Sequence, residues 1–262
     1  MLENEKEIFI HIGYPKTATT FLQNQYFPMR KEIKLFTLHN KSYYDDSKEI
    51  IHLFNLVDDI VFETKKDEIR GIIEKVYENK ILISAEGFSF GTKINRLEIL
   101  RRLKLVFPDA KILIVLRDQL DLLKSIYLQK IKFEIPRTVK FNKFIDDQIY
   151  KRKSSSIINL LNFDYIASKY EYSFGIDNIL ILRYEDFRDS KKEFINEMNN
   201  FLDISSLPDF MGISDKKLNT SSKCKSKILY EFKIKFSIFL QYLIPFKFYK
   251  KISNRIIDCS CV

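Results

Sequence analysis

The feature that most constrains this chain is a repeated alternation of short apolar runs with longer amphipathic segments. Five runs are predicted as strands, the second of them weaker than the others: residues 7–13, 34–39, 80–87, 111–117 and 178–184. The intervening segments carry apolar residues at three- and four-residue spacing, which is typical of helices. This βαβ alternation predicts one three-layer α/β domain, with a central parallel sheet flanked by helices.

The predicted helices follow the strands closely. They cover about 19–30, 47–61, 65–79, 92–107, 118–133, 140–172 and 190–202. Ligands of such folds bind beyond the carboxyl ends of the strands. The residues that follow each strand are therefore the expected functional positions. Two helical segments, 40–79 and 130–172, are read as insertions.

The basic excess of the chain lies at one end. The net charge is +9, and residues 216–262 carry 11 of the 44 basic residues but only 2 of the 35 acidic ones. A nucleic-acid-binding protein more often carries a basic face on its folded domain, so no nucleic-acid partner is expected. We predict a domain over 1–225 and a basic, apolar helical extension over 226–262.

Two interpretations of this C-terminal extension stay open. Its densest apolar run, Phe236 to Phe246, spans 11 residues, which is too short to cross a bilayer. Basic residues beside Phe, Leu and Ile fit an interfacial helix on an anionic membrane, and they equally fit a terminal helix packed on the domain. Peripheral membrane contact is thus one alternative.

The three cysteines indicate neither a disulfide framework nor a metal site. Cys224, Cys259 and Cys261 all lie late in the chain and lack metal-ligand spacing. A reducing compartment is the expectation that follows. The first residues, MLENEKEIFIHIG, contain no apolar signal-peptide region. We therefore expect a cytoplasmic protein, with membrane association if the extension binds lipid, and no metal.

The turn after the first strand has the composition of an anion-binding loop. It reads Gly13-Tyr14-Pro15-Lys16-Thr17-Ala18-Thr19-Thr20 and joins a strand to a helix. A helix N-terminus offers unpaired N–H groups and a positive dipole end, which suit a phosphate. The threonine hydroxyls add donors and Lys16 adds a mobile charge. The loop lacks the GxxxxGK[ST] spacing of nucleotide triphosphatases.

The segment IHIGYPKTATTFLQ resembles the 5′-phosphosulfate loop, P-K-[TS]-G-[TS]-[TS], of sulfotransferases that use 3′-phosphoadenosine 5′-phosphosulfate (PAPS), and especially bacterial members of that family. The resemblance implies that Lys16 meets the charge that develops on the leaving group. It also implies that the donor phosphate is held by Pro15, Lys16, Thr17, Ala18, Thr19 and Thr20. Ala18 replaces the usual glycine, and its Cβ restricts positive φ.

Two further segments resemble the 3′-phosphate site of the same family. LRDQLDLLKSIY is similar to LRNPxxRxxSxY, which implies that Arg117 and Ser125 bind the 3′-phosphate as a guanidinium fork and a hydroxyl. Leu218-Asn219-Thr220-Ser221 resembles an N-x-S segment, which adds Asn219 and Ser221 to the expected donor contacts. ILRYEDF resembles the LxYEDL strand end, and we expect Tyr184, Glu185 and Asp186 to have structural roles.

The expected general base is Glu86, which ends the strand ILISAEG beside the first strand and resembles the family's S-x-E element. A structural role for Glu86, as a loop cap or a lysine partner, is the alternative. Other members use histidine as the base. His11 lies within a strand and is read as a core residue, while His39 and His52 are weaker candidates.

The resemblance therefore implies a P-loop-like fold and transfer of a sulfuryl group from PAPS to a hydroxyl or amine. A glycan or glycolipid is the expected acceptor, and the segments 40–79 and 130–172 are expected to hold it. Two other functions stay open at this point. One is a nucleotide-dependent kinase on the same P-loop-like fold, which the loop spacing disfavours. The other is a catalytically silent anion- or membrane-binding module.

Overall fold

A computed structural model describes residues 6–38, 44–90, 94–135, 138–150 and 157–205. His39, the predicted donor contacts Asn219 and Ser221, the boundary at residue 225 and the extension 226–262 lie outside these ranges.

Five parallel strands form the central sheet, in the order β2-β3-β1-β4-β5. Their bounds are Glu7–Gly13 (β1), Ile33–Thr37 (β2), Lys80–Ala85 (β3), Lys111–Leu116 (β4) and Ile179–Arg183 (β5). The predicted parallel sheet is confirmed, including its weak second strand. The central strand β1 pairs with β3 on one side and β4 on the other, with Ile12 opposite Ala85 and Ile114. The turns after β1, β3 and β4 therefore meet at one edge of the sheet.

Helices cover both faces of the sheet. They are α1 (Thr19–Phe21), α2 (Tyr44–Phe54), α3 (Asp59–Glu74), α4 (Gly87–Phe90), α5 (Arg96–Val106), α6 (Gln119–Phe133), α7 (Phe141–Tyr150), α8 (Ile157–Leu160), α9 (Phe163–Phe174), α10 (Tyr184–Asp189) and α11 (Lys191–Leu202). The predicted insertions correspond to α2 and α3, between β2 and β3, and to the segment through α7–α9, between β4 and β5.

Alternate residues of each strand point to opposite faces, which produces two hydrophobic cores. Ile81 and Ile83 join the core beneath α2, α3, α5, α6 and α9. Leu82, between them, joins a second core with residues of the helical run after β1 and of α11. This two-sided burial explains why the strands read as nearly continuous apolar runs.

The helix predicted after β1, ending near Arg30, is present as a helical run of three geometries that begins with α1. A π-helical segment, Leu22–Tyr26, follows α1 directly, and a 3-10 turn, Phe27–Met29, follows that. Pro28 ends the regular pattern because it lacks an N–H donor. The wider segment buries Leu22, Gln23 and Tyr26 together. π-helical turns are frequent at functional sites, and this one lies beside the candidate site.

Within the described ranges, no helix combines the length and the apolar character that crossing a membrane would require.

Candidate functional site

Close approach of backbone and side chains makes glycine necessary at the end of β1. A Cβ on Gly13 would lie 2.9 Å from Thr19 Cγ2 and 3.2 Å from the Cα of Glu86. The Ser89 hydroxyl donates a hydrogen bond to the Gly13 carbonyl at 2.8 Å, which fixes the start of the turn against α4. The turn after β1 and the end of β3 are therefore in van der Waals contact.

The turn itself curls through two left-handed residues. Lys16 has φ 64° and Ala18 has φ 62°, so Ala18 adopts the conformation that the usual glycine would favour. The Thr17 hydroxyl donates to the Tyr14 carbonyl at 2.7 Å and holds this shape from inside. Helix α1 starts directly afterwards, and N–H groups of a first helical turn have no acceptor within the helix. The curled turn thus presents backbone donors of the kind that bind anions.

Glu86 joins the turn from the β3 side. Its carboxylate accepts a hydrogen bond from the Thr19 hydroxyl, and the side chain is half-buried. Thr20, the next residue, is exposed. Among the described residues no lysine pairs with Glu86. The second carboxylate oxygen is therefore available to another partner.

Arg117 joins the turn from the β4 side. Its Nη1 donates to the Lys16 carbonyl at 3.0 Å, and its guanidinium lies over the Tyr184 ring, 4.6 Å from the centroid. Within the described part of the chain, Arg117 Nε is buried without a hydrogen-bond partner. The turn is thus held between Glu86, through Thr19, and Arg117, through Lys16.

Ser125 lies half-buried on α6, two helical turns beyond the strand end that carries Arg117. Helix α6 is capped by Asp118, whose carboxylate accepts from the Asp121 N–H at 2.9 Å. Asp118 stands where the family pattern has asparagine, so this position keeps a side chain that caps the helix. No hydrogen bond joins Ser125 to Arg117 among the described residues, so the structure places both near one strand end without a direct contact.

The strand end Tyr184-Glu185 supports this arrangement. Tyr184 lies beneath Arg117, and Glu185 Oε1 accepts the Asp118 N–H at 3.0 Å. An aromatic cluster that was not predicted from the sequence lies beside them. The ring centroids of Phe21 and Phe187 are 5.2 Å apart, and those of Tyr184 and Phe187 are 6.2 Å apart. The position of Phe21 directly after the phosphate-type turn was the available signal.

The two described histidines differ in environment. His11 is fully buried in β1, with Nδ1 2.7 Å from the Ser84 hydroxyl, and burial lowers the pKa of His11 to about 3. A neutral, buried imidazole fits the expected core role. His52 is exposed on α2 and lines a cleft described next.

A cleft of about 600 Å³ opens beside Glu86. It is lined by the ends of β2 and β3, by the connection between α2 and α3, and by Gln23. We call it the β2–β3 cleft. The buried Arg102 fixes its outer wall, since Nη1 donates to the Leu56 carbonyl at 2.7 Å and Nη2 lies 3.1 Å from Asp59 Oδ1. Its volume is within the usual range for small-ligand sites.

The fold and the turn define a class: a P-loop-like α/β protein with a curled turn that presents backbone donors after its central strand. Residues 6–227 match the sulfotransferase domain family. The chain belongs to this family and is a sulfotransferase. The family membership sets aside the kinase alternative.

Solved structures agree with the fold. The crystal structure of a sulfotransferase from Alicyclobacillus acidocaldarius matches with TM-score 0.60 and 17% identity, over 89% of this chain and 91% of that one. Mouse sulfotransferase SULT7A1 complexed with PAP matches with TM-score 0.47 and 16% identity, over 79% of this chain and 62% of that one. The sulfotransferase domain from the curacin biosynthetic pathway gives 0.45 and 13%, over 78% and 76%. At such identities the likeness concerns the fold. No curated protein sequence matches the chain significantly.

Proposed function

We propose that this sulfotransferase takes its sulfuryl group from PAPS and transfers it to a hydroxyl or amine of a glycan or glycolipid. The observation that carries the proposal is the turn after β1, held between Glu86 and Arg117. One side of this turn supports the donor, and the other opens onto the β2–β3 cleft.

The donor would lie over the ends of β1 and β4. Backbone N–H groups of residues 16–20 and the exposed Thr20 hydroxyl would hold the 5′-phosphate, because the hydroxyls of Thr17 and Thr19 already donate within the protein. Arg117 and Ser125 would bind the 3′-phosphate, since a dianion is best met by a guanidinium and a hydroxyl donor. Asn219 and Ser221 lie outside the described residues and remain predicted contacts of the donor.

An adenine ring packs well against aromatic side chains, and Phe21, Tyr184 and Phe187 form an aromatic cluster beside the turn. Lys191 lies 4.5 Å from the Phe21 ring centroid, which adds positive charge at this end of the site. The cluster therefore fits the nucleoside part of the same donor.

The chemical step would be an in-line displacement at sulfur. The acceptor oxygen or nitrogen attacks the sulfur, the bond from sulfur to the bridging phosphate oxygen breaks, and 3′,5′-adenosine bisphosphate leaves. Lys16 would stabilise the negative charge that grows on the bridging oxygen. Glu86 would take the acceptor proton through the carboxylate oxygen that does not accept from Thr19.

The acceptor would enter through the β2–β3 cleft. A smaller groove of about 210 Å³ between α2 and α3 shares His52 and Leu56 with this cleft and is lined mainly by apolar side chains, among them Leu53 and Ile69. A glycolipid could place its sugar in the cleft and the first part of its apolar chain in the groove. Because the groove and the cleft share lining residues, they support an amphiphilic acceptor. Membrane contact through residues 226–262 is proposed as well.

The donor assignment is tested by thermal shift with 3′,5′-adenosine bisphosphate, 5′-AMP and ATP. The bisphosphate at about 100 times its Kd should stabilise the wild type by roughly 2.7 kcal/mol. Arg117→Ala removes a charge-assisted contact worth about 1.5–3 kcal/mol, so its bisphosphate affinity should fall roughly 10- to 100-fold. Arg101→Ala, at an exposed arginine of α5 paired with Glu98, is the control and should bind normally. Equal affinity of the wild type for 5′-AMP and the bisphosphate would refute the 3′-phosphate site.

A further inference from the structure

We infer that the β2–β3 cleft selects a polyol without negative charge, such as a neutral sugar residue, and that Thr37 and Gln23 recognise its hydroxyls. The inference rests on the proposed function, because it assigns the acceptor side of the same site. It adds a charge class for the acceptor and two specificity-determining residues.

The charges of the cleft carry the first part of the inference. Two carboxylates, Glu86 and Asp58, and one histidine, His52, line it, and no lysine or arginine is found among the described residues of its lining. Asp58 is held in place by the N–H groups of Ile60 (2.8 Å) and Val61 (3.2 Å) at the start of α3. An acceptor with its own carboxylate or sulfate would bring like charges together in a partly enclosed site, which is unfavourable.

The second part of the inference rests on two buried oxygens that have no hydrogen-bond partner among the described residues. Thr37 and Gln23 both line the cleft and are almost completely buried, and both carry an oxygen without a hydrogen-bond partner, Oγ1 and Oε1 respectively. A buried polar atom without a partner costs free energy, so a ligand that supplies the missing hydrogen bond gains affinity. Hydroxyl groups are suitable partners because each can both donate and accept.

The side chain of Gln23 and the main chain at Thr37 are held in place before a ligand arrives. Gln23 Nε2 donates to the Ser84 hydroxyl at 2.8 Å, and this hydroxyl lies 2.7 Å from His11 Nδ1. The Thr37 N–H donates to Ser47 Oγ at 3.2 Å, which holds the end of β2. Ser84 is two residues before Glu86, so the recognised hydroxyls would lie beside the proposed base. An acceptor that fits both needs several neighbouring hydroxyls, as a sugar ring has.

The test compares matched methyl glycosides in the presence of 3′,5′-adenosine bisphosphate. Methyl glucoside, galactoside and mannoside represent neutral sugars, and methyl glucuronide and galacturonide represent anions. Binding to the full chain is measured by saturation-transfer NMR titration. We expect at least one neutral glycoside to bind about 10-fold or more tightly than either uronide, from roughly 1.4 kcal/mol of like-charge repulsion.

The variant Thr37→Val removes only the hydroxyl and keeps the side-chain shape. Because this hydroxyl has no partner among the described residues, the thermal midpoint should not fall. Affinity for the neutral glycoside should decrease about 3- to 10-fold, as expected for one lost neutral hydrogen bond, while bisphosphate affinity stays unchanged. Thr64→Val, on the exposed face of α3, is the matched control and should bind the glycoside normally.

Three results would overturn the inference: no neutral glycoside binds, a uronide binds as tightly as the best neutral sugar, or Thr37→Val retains wild-type affinity. Failure of the proposed function is a separate result. In that case the wild type does not bind the bisphosphate, whatever the sugars do.

Discussion

Replacing Ala18 with glycine tests the backbone geometry on which the donor site depends. Ala18 has φ 62°, and a left-handed conformation costs an L-residue roughly 1–2 kcal/mol. Glycine avoids this cost but loses about 0.5–1 kcal/mol more through backbone entropy. Ala18→Gly should therefore be neutral or stabilising, by up to about 1.5 kcal/mol.

The matched control is Ala167→Gly, inside α9. There the same substitution should destabilise by about 1 kcal/mol, because the native backbone is helical. The free energy of unfolding of both variants is obtained from urea titration with linear extrapolation. The two substitutions should differ in sign or by at least about 1 kcal/mol. If Ala18→Gly destabilises as much as Ala167→Gly, the turn is not left-handed at this position and the argument for its anion-binding shape fails.

Three further predictions concern the site and its surroundings. Lys16→Ala should lower kcat by roughly 10²–10³-fold and weaken bisphosphate binding less, because the negative charge on the bridging oxygen is larger in the transition state. Full activity with a PAPS donor would remove Lys16 from the mechanism. Glu86→Gln keeps an acceptor for Thr19, so it should bind the bisphosphate normally while turnover falls about 10²–10⁴-fold; near-normal turnover would assign the proton to another group. His11 has a pKa near 3 when folded and 6.5 when unfolded, so stability should decline as pH falls from about 6.5 towards 3, by at most about 1.4 kcal/mol per pH unit. In His11→Asn that part of the pH dependence should disappear, whereas His52→Asn, at an exposed position, should keep it; equal slopes in all three proteins would contradict the burial argument.

Much of the fold could be predicted because its signals are local. Each strand is a short run of β-branched and aliphatic residues, and each run marks its own strand whatever lies elsewhere in the chain. The placement of Glu86 beside β1 also follows from strand order, and the register of Ile12 opposite Ala85 confirms it. The helix after β1 was predicted with nearly its observed bounds, but its π-helical segment was not predicted, because a π-helical turn has no strong local signal.

Contacts within the site depended on tertiary structure. Thr19 and Glu86 are 67 residues apart, and Arg117 and Lys16 are 101 apart, so no local pattern relates them. The sequence by itself determined which residue types stand after each strand: a lysine and threonines after β1, a glutamate after β3, an arginine after β4. Only the register of three neighbouring strands decided that Glu86 and Arg117 hold the turn from opposite sides. The β2–β3 cleft was likewise decided by packing, since Thr37 and Gln23 acquire a shared role only when β2 and the helical run after β1 come together on either side of β3.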